Sequence, residues 1–315
     1  MAKYRSHLPQ LSQGMFVTDS GLETTLIFRD GIDLPEFASF VLLQSDSGRQ
    51  RLRDYYRLYA EMARRYGMGL VLESPTWRAN RDWAQKVGLP PDALPEINRQ
   101  AIAMLVEIRD AYETEHTKIV ISGNIGPRGD GYVPSAKMSA VAAQDYHAEQ
   151  IRTFAQTDAD MVSAFTINYV EEAIGVVNAA KAAGMPAVIS FTLETDGKLP
   201  SGQSLKDAIE KTDAATQGHA AYYMINCVHP THFANTFAAD GEWGSRIRGL
   251  RPNASKKSHA ELDASTELDD GVPVELGQET RDAKRMLKEL RVIGGCCGTD
   301  ERHVEEMCKA LAGTV

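Results

Sequence analysis

Short aliphatic and β-branched runs recur eight times along this chain, and a stretch of helical periodicity follows each of them. The runs are Met15–Asp19, Gly69–Ser74, Ile119–Gly123, Met161–Thr166, Ala187–Thr192, Tyr222–Asn226, Ile247–Leu250 and Arg291–Gly295. Such alternation builds βα units on a parallel sheet. Eight units predict an α/β fold of the (β/α)8 TIM barrel type, with a doubly wound open sheet as the alternative. The helical stretches carry the stripe needed to cover a sheet: Leu52, Tyr55, Tyr56, Tyr59 and Ala63 in one, and Ile97, Ala101, Leu105, Ile108 and Tyr112 in the next. Val304, Met307, Cys308 and Leu311 give the last helix the same face, with Thr299 and Asp300 as its candidate N-caps. No repeat, low-complexity tract or Pro/Gly/Ser linker divides the sequence, so residues 1–315 are expected to form a single barrel domain. The stretch from Arg251 to Gln278 departs from the pattern, being long, polar and acidic, and reads as a solvated loop or a lid.

Composition narrows the functional classes. Lys and Arg total 34 against 43 Asp and Glu, a net charge of −9, which opposes a nucleic-acid surface. No apolar run approaches the ~20 residues of a membrane span, and the N-terminal stretch lacks the apolar core of a signal peptide. A cytoplasmic protein is expected. No strand is followed by G-x-G-x-x-G, which argues against nicotinamide chemistry.

In a barrel of this type, reacting groups belong where strands end. Asp19, Glu73, Asn124, Thr166, Thr192, Asn226, Cys227, Asn253, Cys296 and Cys297 all terminate runs. Three of the four cysteines therefore fall at two strand ends of one mouth. Three thiolates with an open fourth position describe a catalytic zinc site, and soft sulfur favours zinc over magnesium or calcium. The glycines around Cys296-Cys297 supply the unusual backbone path that two adjacent sulfurs need to reach one ion. A vicinal disulfide, two unrelated buried thiols and a redox pair remain alternatives. Cys308 lies on the apolar stripe of the last helix and is excluded from the site.

These residues carry a resemblance. Ile293-Gly-Gly-Cys-Cys-Gly-Thr299, Asn226-Cys227, and Asp19-Ser-Gly-Leu-Glu-Thr-Thr25 resemble motifs of the zinc-dependent homocysteine S-methyltransferases. That family includes the betaine- and S-methylmethionine-dependent enzymes and the homocysteine-binding module of methionine synthase. Ser122-Gly-Asn-Ile-Gly-Pro127, Tyr146-His147, Gln150-Ile151 and Ser190-Phe-Thr192 agree as well, so the resemblance runs from about residue 15 to residue 312. It implies a TIM barrel, a Zn2+ ion held by Cys227, Cys296 and Cys297 as the catalytic centre, and methyl transfer from a sulfonium or quaternary ammonium donor to homocysteine, giving methionine. Asp19, Gly21, Glu73, Thr166 and Asn226, at strand ends or in these motifs, are taken as substrate-binding residues. Ser20 replaces the first Gly of the family's first-strand segment. Phe165 stands where family members commonly have a Glu that contacts the homocysteine amino group, so a different thiol or methyl donor, in a methyltransferase or a demethylase, is an alternative acceptor chemistry. A non-catalytic zinc- or redox-sensing protein is another.

Trp77, Phe165 and Tyr169 are candidates for an aromatic cage around a cationic donor. His147 and His229 are taken as supporting or structural. Partners are expected to be the small-molecule thiol and donor, with a homo-oligomer and a separate corrinoid protein left open.

Overall fold

The protein is described from a computed structural model covering residues 2–12, 14–134, 137–233, 242–265 and 267–312. Eight parallel strands close into a barrel in chain order: β1 (Phe16–Val17), β2 (Gly69–Glu73), β3 (Ile119–Ile125), β4 (Met161–Ile167), β5 (Ala187–Thr192), β6 (Ala220–Asn226), β7 (Ile247–Arg251) and β8 (Val292–Ile293). β1 pairs with both β2 and β8, which leaves the sheet without an edge.

Side chains alternate across each strand, and the two faces build two apolar layers. Phe16, Val71, Val120, Met161, Val188 and Met224 belong to the cluster that fills the barrel, and Leu8 of the N-terminal segment packs against it. Val17, Leu70, Leu72, Ile119 and Ile121 face outward onto the helical stripes. In the helix Asp46–Tyr66, Leu52, Tyr55, Tyr56, Tyr59 and Ala63 are buried; Ser45 caps its start by accepting from Gly48 N, and Gly67 ends it at φ 65°. Asp300 caps the last helix, Glu301–Leu311, with His303 closing a capping box. The N-terminal segment is pinned beneath the barrel by Arg5, which donates to the carbonyls of Ala155, Thr157 and Ala159.

Two expectations shift. β1 and β8 are two residues long, shorter than the runs that announced them. Thr18 N still donates to Ile293 O at 2.7 Å and Gly295 N to Asp19 O at 2.9 Å. The stretch Arg251 to Gln278 is not one loop. β7 takes Arg251, a short helix occupies His259–Asp263, and a further helix starts at Pro273. The charge on Arg251 hid the strand end, since an ion pair inside the barrel mouth accommodates it. Among the described residues, no helix is long and apolar enough to cross a membrane.

Candidate active site at the C-terminal mouth

The strands deliver Asp19, Gly21, Glu73, Thr166, Asn226, Cys227, Cys296 and Cys297 to the wall of one cavity of about 350 Å³. Cys227 follows β6 with its backbone in the left-handed region, φ 55°, where its N–H reaches Arg251 O at 3.1 Å. Cys296 N donates to Pro252 O at 2.8 Å, and Cys297 O accepts from Ala254 N at 3.0 Å. Gly21 permits this assembly: a Cβ there would sit 2.5 Å from Cys296 O.

The three sulfurs lie within 4.8 Å of one another. Cys227 and Cys296 are joined as a disulfide that does not include Cys297, so the bond present is not the vicinal one that two adjacent cysteines suggest. With that bond reduced, the cluster offers three soft donors and no carboxylate or imidazole, a set that fits zinc and leaves a fourth position toward the cavity.

Asn226 ties this cluster to β4 and β5. Its Oδ1 accepts from Thr166 N at 3.1 Å and Ser190 Oγ at 2.6 Å. Its Nδ2 donates to Thr166 Oγ1 at 3.0 Å and to Cys227 Sγ at 3.1 Å. Thr166 is held at φ 62°, a conformation disfavoured for a β-branched residue, next to a register shift between β4 and β5.

Opposite the sulfurs, Arg251 forms an ion pair with Asp19 at 2.9 Å and donates to the carbonyls of Ser20 and Gly295. Tyr55 OH also reaches Asp19, at 3.1 Å, so that carboxylate is fully engaged. Glu73 is not. Its Oε1 accepts from Ser163 Oγ at 3.1 Å, while its Oε2 is buried without a partner. Burial pushes the Glu73 carboxyl up to about 7 from 4.5; Asp19 adds to the rise, while Arg251 and the hydroxyls of Ser122 and Ser163 oppose it.

The sign of the resulting linkage is fixed. Between pH 4.5 and 7 the unfolded chain releases this proton and the folded chain keeps it, so stability present at low pH is lost as pH rises. The loss corresponds to roughly 3 kcal/mol. In the metal-free protein, Glu73→Gln should remove it: the urea-derived stability of the parent should fall that much more than the variant's from acid to pH 8. A difference below about 1 kcal/mol would contradict this assignment.

Other candidates are sorted differently. Trp77 and Phe165 line the cavity, whereas Tyr169 does not, because its buried hydroxyl accepts from Met138 N at 3.1 Å. One face of Phe165 is already covered by Arg251, whose guanidinium carbon is 5.0 Å from the ring centre. His229 lies 3.0 Å from Glu279 and is held down to about 4 by burial, and His147 pairs with Glu172 at 2.9 Å; neither joins the sulfur cluster.

The sequence reading missed four residues. Arg251 read as the start of a loop, although a cation ending an apolar run was a usable signal. Tyr132, whose hydroxyl is 3.6 Å from Cys297 Sγ, comes from a loop, and His259, which hydrogen-bonds Cys227 O, opens the short helix His259–Asp263; neither lies in a motif. Arg78, in the cavity wall, belongs to no motif.

Comparison with known proteins agrees with this geometry. A family model described as homocysteine S-methyltransferase matches residues 16–311. Homocysteine S-methyltransferase 1 of Arabidopsis thaliana is 22% identical over 321 residues, covering 95% of this chain and 94% of that protein. Betaine–homocysteine S-methyltransferase 1 of Bos taurus is 26% identical over 182 residues, covering 52% of this chain and 42% of that one. Among solved structures, the homocysteine methyltransferase MmuM from Escherichia coli superposes in its oxidized form with a TM-score of 0.74 at 17% identity, covering 97% of this chain and 99% of that chain. Its metallated form gives 0.70 at 16% identity, covering 95% and 96%. The family match spans the barrel from its first strand to its last helix, and the chain belongs to the homocysteine S-methyltransferase family.

Proposed function

We propose that the chain moves a methyl group from a sulfonium or quaternary ammonium donor to homocysteine, with Zn2+ held by Cys227, Cys296 and Cys297. The observation that carries this reading is the sulfur cluster, three Sγ atoms within 4.8 Å at the mouth of a cavity large enough for small substrates. The relative MmuM, which has been solved in a metallated form, supports it. Zinc bound there supplies the charge that keeps a thiol deprotonated near neutral pH, where a free thiol of pKa ~8.5 is only a few per cent ionised.

The chain's own residues do the rest. Asn226 donates an N–H to the Cys227 sulfur and locks Thr166, fixing the floor against which an acceptor is oriented. The Asp19–Arg251 pair braces Ser20 and Gly295 on either side of the cluster. Glu73 offers its unpartnered Oε2, an acceptor suited to an ammonium N–H and unsuited to an onium centre that has none. Trp77 and the open side of Phe165 present aromatic faces to a cationic donor, worth about 0.5–2 kcal/mol each. In the transfer, the acceptor sulfur's electron pair forms the new S–CH3 bond, and the donor's S–CH3 or N–CH3 pair leaves with a neutral sulfide or amine.

The test is direct. Reduced, zinc-loaded protein incubated with isotopically methyl-labelled S-methylmethionine or betaine should yield labelled methionine from homocysteine. Labelled thioether only from thiols without an amino group would transfer the mechanism to another acceptor, the reading that Phe165 favours. No labelled thioether from any thiol with either donor would overturn the proposal.

A further inference from the structure

Two arginines stand in the wall of the cavity, and they differ in what neutralises them. Arg251 is saturated by Asp19 and by the carbonyls of Ser20 and Gly295. Arg78 is not. Its Nη1 donates to Glu36 O, its Nε is buried without a hydrogen-bond partner, and among the described residues no Asp or Glu forms a salt bridge with it. Glu23, one of several carboxylates of the same wall, is bonded to Ser39 at 2.8 Å, and its charge and that of Asp130 act on Arg78 without a salt bridge.

Aromatic rings surround the guanidinium. Its carbon lies 3.7 Å from the centre of Trp83, 4.8 Å from Trp77 and 5.9 Å from Phe37. These faces hold the guanidinium in place and supply no negative charge to neutralise it. A guanidinium does not escape this by losing its proton at neutral pH. The position is also built rather than incidental. Glu36 and Phe37 are consecutive residues in the left-handed region, φ 56° and 54°, and they bring one carbonyl and one ring onto Arg78. The adjacent Trp77 is fixed by its indole N–H, which donates to Phe165 O at 3.3 Å.

We propose that Arg78 forms the carboxylate subsite of this cavity, holding the carboxylate of a small substrate by charge-assisted hydrogen bonds. The planar fork of a guanidinium matches a carboxylate in geometry and charge. A phosphate dianion fits poorly, because Asp19, Glu23 and Glu73 share the wall with a single unpaired cation. The identity of the substrate rests on the methyl-transfer reading; the anion site does not. The carboxylate belongs either to the methyl donor, with Trp77 beside its onium centre, or to the amino-acid acceptor.

The experiment separates these possibilities. The Nε–H resonance of Arg78, assigned by its disappearance in Arg78→Gln, is followed while the reduced protein is titrated with propionate and, in parallel, with 1-propanol. A saturable shift with propionate alone is expected. No response overturns the subsite whether or not the chain transfers methyl groups, whereas a response in a protein that transfers none overturns only the methyl-transfer reading.

Equilibrium binding then identifies the owner of the carboxylate, using two pairs: S-methylmethionine with its decarboxylated counterpart, and homocysteine with 3-aminopropane-1-thiol. Arg78→Gln should weaken one carboxylate-bearing member at least tenfold and leave its decarboxylated partner unchanged, with partial recovery in Arg78→Lys. Loss in the donor pair assigns the donor carboxylate, and loss in the thiol pair assigns the acceptor's. Equal loss for both members of each pair would reduce Arg78 to a packing residue and overturn the proposal.

Discussion

Cys297→Ala is expected to lower bound zinc from about one equivalent to a small fraction of one, and methyl transfer by about a thousandfold, while the fold survives. Cys297, like Cys296, is half-buried, and it lies outside the Cys227–Cys296 disulfide, so its removal leaves a small void near solvent rather than a hole in the core. Two sulfurs cannot replace three: on the proposed reading, an ion held there would lose a strong donor, and the surplus negative charge that would keep an acceptor sulfur reactive would fall with it. Cys308→Ala is the matched control. That thiol is fully buried in the helix Glu301–Leu311, where burial pushes it up to about 12, and it faces the core rather than the mouth. Its loss should cost some stability and no zinc. Metal content by atomic spectroscopy, labelled methyl transfer and urea unfolding read these outcomes separately. A Cys297→Ala protein that retained stoichiometric zinc and full transfer would remove the cluster from the mechanism.

Much of the candidate site is legible in the sequence, because its motifs are local. Gly294-Gly295-Cys296-Cys297-Gly298 and Asn226-Cys227 are short motifs at strand ends, and strand ends in a barrel share one mouth. The eight-unit architecture was equally readable, since period-two runs and helical stripes are properties of the chain itself. What was not readable depends on contacts between distant segments. The left-handed backbone of Thr166 runs against the preference of a β-branched residue, and only the bonds from Asn226, sixty positions away, hold it there. Arg251 and Arg78 share the charge of every surface arginine. Their places in the fold made one of them the mate of Asp19 and left the other, among the described residues, without a salt bridge, and no local pattern records that difference. Tyr169 misled for the complementary reason: it sits near a strand end, yet it does not line the cavity and its hydroxyl accepts from Met138 N.

Arg251→Met should destabilise the protein by about 3–5 kcal/mol, the range measured when one partner of a buried ion pair is removed and the other is left charged. Asp19 is 5% exposed, and without Arg251 it keeps only hydroxyl partners, Thr18 and Tyr55, for a full negative charge. The double variant Asp19→Asn, Arg251→Met should recover most of the loss, because the penalty is the orphaned charge more than the missing attraction. A double-mutant cycle in urea therefore predicts a coupling of several kcal/mol between the two positions. Single-variant losses that simply add would show that the pair is incidental. The cycle has a second readout. Arg251 also grips Ser20 O and Gly295 O, the carbonyls immediately before Gly21 and Cys296, and so sets how closely β1 and β8 approach the sulfurs. If that grip positions the cluster, the double variant will regain stability without regaining zinc affinity, because two neutral side chains of different shape do not restore hydrogen bonds to those carbonyls. Recovery of both together would assign Arg251 a purely electrostatic role at Asp19.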